Sequence, residues 1–554
     1  MSASASAAKN HLAAPALVFG GLLIAAAAWL VPVNLKSVSP ALLRAAGAGT
    51  PTLAQFGRQL VDEEKSGPAA LVLAAARTVG VPGAPRLAAD LDRLVGRQPT
   101  FAPWGGWDPF LDPLFDLRAS SGRTASTPVM TFFIAASARG RLLQSLANSG
   151  SLGVQALLRT RNLTATGPFI PALKPGGQPL DALILLTCLL YQGGHISDAL
   201  QRELHSLAET ALAQNSLGDL GDFYGDLLSL GRRLDWAQLS ELLRRSGSIK
   251  TVAEYAQLAR AAPDQLPLIY AAALFTDSAD RVAVYLLQYG KAGAEDLRFA
   301  LSCGQGAVDQ LILRGVPVNR SAGPALSSTA ALVLAHPRAM LVLKYLGYFF
   351  GAFFILRGLD RWIVAPGGAA EAERTAPEVR AGLLAVFLAG LLVVASEPFL
   401  LKAAASTDYQ PRLHLPVLVT NGLPPAAPSP ASLPSMNTST LITIGIFAVL
   451  QVMMYFICLQ KINQIEQQEV PPLLKLRLME NEDNLFDCGL YVGMMGTAAA
   501  LVLQVLGVID PNLLAAYSSN LFGLLCVALV KIRHVRGFKR RLILEQEALQ
   551  AAAV

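Results

Sequence analysis

The feature that most constrains this chain is a set of six apolar runs, each about as long as a bilayer core is thick. A helix rises 1.5 Å per residue, so crossing roughly 30 Å of hydrocarbon takes about 20 apolar residues. The runs extend from about Leu12 to Val33, Ala339 to Leu356, Ala381 to Leu401, Thr440 to Leu459, Cys488 to Ile509 and Leu513 to Val530. Composition agrees. Hydrophobic residues are 53% and charged residues 15%, against roughly 45–50% and about 25% in soluble domains. Disorder is excluded for most of the chain, and collagen-like or disulfide-dense folds are excluded outright. A net charge of +6 over 554 residues, with basic residues mainly beside apolar segments, argues against a nucleic-acid partner. The expected fold is all-α: a polytopic membrane protein of about six transmembrane helices with a large extracytoplasmic helical domain.

Short-loop charge sets the orientation, because Lys and Arg stay on the cytoplasmic side. After the sixth run come Lys531, Arg533, Arg536, Lys539, Arg540 and Arg541 with no acid between them. Alternation then places Lys461, Lys475 and Arg477 inside, together with Arg357, Arg361, Arg374 and Arg380. The expected organisation is a cytoplasmic tail at 1–11, a first helix at 12–34, an extracytoplasmic α-helical domain at 35–337 and helices two and three at 338–402. A Pro-rich outer loop at 403–438, helices four to six at 439–533 and a basic cytoplasmic tail at 534–554 complete it. The implied location is the bacterial inner membrane, multi-pass, with both termini inside. Lys9 before an apolar run also fits a cleaved signal peptide, with Ala26-Ala27-Ala28 at the cleavage site. A run of about 22 residues exceeds a signal core and favours a retained anchor.

Between the first two runs the sequence reads as helix after helix. Pro68–Arg77 and Ser197–Ala208 carry apolar residues at i, i+3, i+4 spacing. Gly80-Val-Pro-Gly83 and Lys174-Pro-Gly-Gly177 read as breaks. Leu242–Gly247, Leu286–Gly290 and Leu311–Gly315 each look like a helix closed by Gly, and Ala307–Asn319 looks like the end of an ankyrin repeat. The glycines keep no fixed period, so the domain reads as an irregular helical array, solenoid-like or a compact bundle. Such arrays bind other proteins. A Cys188–Cys303 bridge and buried free thiols both fit the two outer cysteines.

Catalytic signatures are missing. No two histidines have metal-ligand spacing, and neither a phosphate-binding GxxxxGK[ST] nor a GxSxG nucleophile elbow occurs. No enzyme activity, metal or cofactor is expected. Trp104-Gly-Gly-Trp-Asp-Pro-Phe-Leu-Asp-Pro-Leu-Phe-Asp116 could form a sugar or cation site, but turns, caps and core packing explain it better. The informative residues are polar ones within spans, where unsatisfied groups are costly. Glu397 is a cation-binding candidate near the outer end of the third run, and Lys344 can snorkel. The fifth run carries Gly493-Met-Met-Gly-Thr497, where Gly493 and Gly496 permit close helix approach. The sixth carries Ser518, Ser519 and Asn520 within about one turn, with Gly523 beyond. Only Asp510-Pro511-Asn512 joins the two.

This hairpin resembles the MotA/TolQ/ExbB proton-channel family. Gly493-Met-Met-Gly-Thr-Ala498 is similar to the family's G-L-L-G-T-V run. Ala516-Tyr-Ser-Ser-Asn-Leu-Phe-Gly-Leu524 is similar to its A-L-x-x-T-A-x-G-L run, with Asn520 where the family has its pore threonine. The resemblance covers roughly residues 440–545. Ala515 stands at a common glutamate and Leu529 at a proline, and the Lys461–Asp487 loop is much shorter than the family's cytoplasmic region. The resemblance implies a homo-oligomeric ring around a single-span subunit that supplies an intramembrane Asp. Thr497, Ser518, Ser519 and Asn520 would then be ion-pathway residues, and the outer domain would engage an extracytoplasmic protein. Two readings of other classes stay open: a membrane-anchored helical scaffold without ion transport, and a stand-alone transporter or channel acting through Glu397.

Overall fold

The computed structural model describes residues 2–117, 126–320, 327–363, 376–400, 409, 438–505 and 513–552. Among these residues the chain is helical and forms no strand. Two isolated bridges, Val38 to Val318 and Ala165 to Ser216, are its β-type contacts. In chain order the helices used below are α1 (Ser2–Trp29), α2 (Ser66–Val79), α3 (Ala84–Arg97), α4 (Gln178–Gln192), α5 (Asp198–Gln214) and α6 (Trp236–Arg244). They continue as α7 (Ala279–Cys303), α8 (Gln305–Arg314), α9 (Pro337–Ile363), α10 (Ala376–Ser396), α11 (Thr438–Gln467), α12 (Cys488–Val505), α13 (Leu513–Ala528) and α14 (Arg536–Ala552).

The chain divides into two compact units. One comprises Val38–Arg320 and Ala405–Leu415; the other comprises Met1–Ser37, Ser321–Ala404 and Pro416–Val554.

In the first unit the helix signals read from sequence act locally. Pro68–Arg77 lies within α2, whose end is closed by Gly80 in the left-handed region (φ 76°), where Gly has no Cβ to clash. Ser197 caps α5 by accepting from Leu200 N. The Gly-closure pattern holds at Gly315 (φ 57°), which ends α8. Gly290 (φ 56°) instead interrupts α7, and the helix resumes beyond it. Gly247 lies past the end of α6. A solenoid repeat is therefore not among the features shown. The core is built around Trp236, Tyr224, Tyr255, Tyr270 and Phe133, all fully buried, and most of α4 is buried around its circumference. All five cysteines are free, Cys188 buried within α4.

In the second unit, described helices coincide with each of the six apolar runs. By length and composition one of them qualifies as a membrane-crossing helix: Pro337–Leu359, with mean hydropathy 1.8. α1 packs along α9 through small residues. A Cβ built on Gly351 would lie 2.9 Å from Ala25 Cβ, and one on Gly347 would lie 2.8 Å from Ala28 Cβ. α10 also packs on α9, and its Ala389 clusters with Tyr348 of α9 and Ala28 of α1. α11, α12 and α13 form a second cluster. Its lower end is an apolar core of Cys458, Ile462, Ile465, Met479, Phe486, Val530, Val535, Phe538 and Leu542. A π-helix, Leu529–Val535, joins α13 to α14. Residues 403–437 of the outer loop (apart from Tyr409), the connection 364–375 and the hairpin turn Asp510-Pro511-Asn512 lie outside the described residues.

Candidate functional site

α12 and α13 approach each other closely, and all three singled-out glycines lie in their contact. A Cβ on Gly493 would lie 2.9 Å from Ser519 O, and one on Gly523 would lie 2.5 Å from Gly489 O. A Cβ on Gly496 would overlap the Ser519 hydroxyl. Backbones this close leave no room for a side chain between them, which is how small residues let helices pack without a hydrophobic driving force. The fourth glycine at the contact, Gly489, carries no sequence signal beyond its type.

The polar residues of the hairpin divide by role. Ser519 is buried and donates its hydroxyl to Gly493 O at 3.1 Å, tying α13 to α12. Thr497 is half-buried and donates to Gly493 O at 3.0 Å, one turn back on its own helix. Ser518 is half-buried beside them. Asn520 is half-buried, and its Oδ1 is enclosed without a hydrogen-bond partner among the described residues. The structure thus gathers Gly493, Gly496, Thr497, Ser519, Asn520 and Gly523 at one contact.

Sequence reasoning missed the third side of this site. Gln451 projects from α11, is 4% exposed, and donates Nε2 to Gly489 O at 3.0 Å. Its Oε1, like Asn520 Oδ1, is enclosed without a partner among the described residues. Cys526 donates its thiol to Gln451 O at 3.5 Å. A buried acceptor without a donor costs about 1–3 kcal/mol, and this cluster holds two on adjoining helix faces. The only sequence signal was a glutamine inside an apolar run.

Glu397 stands apart from the hairpin residues in the sequence and in its contacts. It is fully buried and accepts from Leu35 N and the Tyr345 hydroxyl, both at 2.8 Å. Lys344, expected to snorkel, is instead 2% exposed. Its ammonium donates to Val33 O at 2.7 Å and Asn34 Oδ1 at 2.8 Å. Those acceptors follow α1 and lie more than 300 residues earlier, so the packing that buries Lys344 has no local signature. Lys344 and Glu397 together hold the Val33–Leu35 segment.

The Trp104–Asp116 segment belongs to the core of the first unit. Trp104 stacks on Phe132 with ring centroids 4.1 Å apart. Asp108 closes a turn by accepting from Phe110 N and Leu111 N, and its other oxygen accepts from Trp236 Nε1 at 3.0 Å. His195 Nε2 lies 3.1 Å from the same oxygen, and Arg244 bonds His195 Nδ1 at 2.7 Å. Burial alone would raise the Asp108 carboxyl, but His195 and Trp236 outweigh it and hold it at about 2. Next to Trp236, Asp235 caps α6 through Gln238 and accepts from the Ser126 hydroxyl at 2.6 Å. It is enclosed against Gly67 and Gly105, with no cation bonded to it among the described residues, and burial pushes its carboxyl up to about 7. Among the described residues no group of three or more His, Cys, Asp or Glu is arranged to hold a metal.

No family model, no curated protein and no solved structure matches this chain.

Proposed function

We propose that the chain is a multi-pass subunit of the bacterial inner membrane that works in a proton-driven, energy-transducing complex of the MotA/TolQ/ExbB kind. All six apolar helices cross the bilayer in this reading, and both termini are cytoplasmic. The observation that carries it is the pair of enclosed amide oxygens, Gln451 Oε1 and Asn520 Oδ1, at the contact of three apolar helices. Lipid has no donor for such groups, so a wetted path or a helix of another chain must provide one. Copies of this chain assemble around a single-span subunit whose intramembrane carboxylate takes up and releases the proton. The chain itself performs no covalent chemistry. The first unit engages a protein beyond the membrane, consistent with the exposure of Leu152, Leu173 and Leu313 on it.

The test is the double variant Thr497→Val and Asn520→Leu. Apolar replacements are no burden in lipid, so insertion and assembly persist, while proton flux into vesicles falls at least tenfold. Wild-type flux in a correctly assembled double variant removes the channel and leaves an anchored helical scaffold.

A further inference from the structure

The polar contact does not end at Gln451. Tyr455 lies one turn further along α11, on the same face, because residues four apart stack on a helix. Its hydroxyl is 2.8 Å from His534 Nε2. His534 sits in the π-helix that follows α13, a seven-residue widening of the helical ladder. Such insertions occur often at functional sites, because they displace one turn's side chains from the regular stripe. The apolar core closes around this pair: Cys458 and Val535 are buried beside it, and Tyr455 packs against them. Beyond it the side chains are charged and paired. Lys531 bonds Asp487 at 2.7 Å and approaches Asp483 at 3.8 Å, Lys539 approaches Asp483 at 3.7 Å, and Lys461 bonds Glu482 at 3.2 Å.

Resting on the function proposed above, we propose that Gln451, Tyr455 and His534 form the inner half of the proton path, with His534 as its terminal proton-exchange group. Asn520 Oδ1 and Gln451 Oε1 each accept a hydrogen bond from a water in the path. A proton delivered from that water to the Tyr455 oxygen releases the phenolic proton along the 2.8 Å contact to His534 Nε2. The imidazolium then loses its Nδ1 proton to cytoplasmic water. One proton enters and one leaves, and water-mediated transfer of the remaining proton from Nε2 to Nδ1 restores the starting tautomer.

The experiment measures proton uptake by vesicles carrying the full-length chain with whatever subunit copurifies, driven by a potassium diffusion potential. The variants are Tyr455→Phe, which removes one oxygen, and His534→Ala, measured with and without imidazole on the inner face. Flux is expected to fall at least tenfold in both, and imidazole is expected to restore most of it in His534→Ala alone. A purely structural histidine would give a loss that imidazole does not repair. That result, or unchanged flux in Tyr455→Phe, overturns the inner path. If these variants conduct normally while Thr497→Val with Asn520→Leu does not, the proton channel stands and only its inner half is wrong. An intact complex with no flux at all overturns both. Should His534→Ala fail to assemble, Tyr455→Phe decides the matter.

Discussion

At the residue scale the first unit holds two buried carboxylates whose environments push them in opposite directions. Burial of Asp235 outweighs the hydroxyl and backbone N–H groups that bond it, and its folded value rises to about 7. Between the ordinary carboxylate value and about 7, the folded state holds a proton that the unfolded chain has released. Stability from this group is therefore fully present below pH ~4, declines as pH rises to about 7, and is flat beyond. The decline is on the order of 4 kcal/mol. Asp235→Asn keeps an N-cap acceptor and removes the titration. Urea unfolding followed by tryptophan fluorescence should show this variant equal to or more stable than the parent at pH 8, with the decline between pH 4 and 7 gone. Asp108 supplies the opposite limb. Its depressed value means that its stabilisation is present above pH ~4 and is lost as pH falls to about 2. A parent profile that rises steadily from pH 4 to 8 would contradict the assignment of Asp235.

At the scale of elements, the α12–α13 contact depends on the side chains missing at its glycines. Gly523→Ala places a methyl against the backbone oxygen of Gly489, which cannot rotate away. Overpacking of this kind costs about 1–3 kcal/mol, so the thermal midpoint in detergent should fall. Gly445→Ala on α11 is the control. Nothing lies within 4 Å of its added methyl, and alanine favours the helix by about 1 kcal/mol, so its midpoint should hold or rise. The glycine contact was legible because Gly493 and Gly496 lie three residues apart on one apolar run, and Gly523 follows small polar residues on the next. Gln451 was not legible, because the group it bonds, Gly489 O, lies 38 residues further on. Periodicity reports a helix's own faces; it carries no information about which other helix will cover them. The same limit applied to Gly290, where the local signal for a helix end was correct but the chain resumed the helix after one residue.

At the scale of the molecule, the all-helical architecture followed from composition and the 3.6-residue periodicity. Which helices cover one another did not. Val38–Arg320 has its own buried core, and burial of aromatic side chains at about 1.5–3 kcal/mol each supports independent folding. Residues 38–320 alone should give a helical circular-dichroism spectrum and one cooperative melt; a soluble but unfolded product would show dependence on the rest of the chain. The Lys344 and Glu397 clamp on Val33, Asn34 and Leu35 has a consequence in time. Lys344 is made 310 residues after Asn34, and Glu397 is made 362 residues after Leu35. At roughly 5–20 residues per second, a ribosome takes on the order of 15–60 s to supply the first of them. Throughout that interval the newborn first helix has neither its glycine-lined neighbour nor the ammonium that later holds its exit, so whatever receives it from the ribosome must shelter it until the second helix emerges.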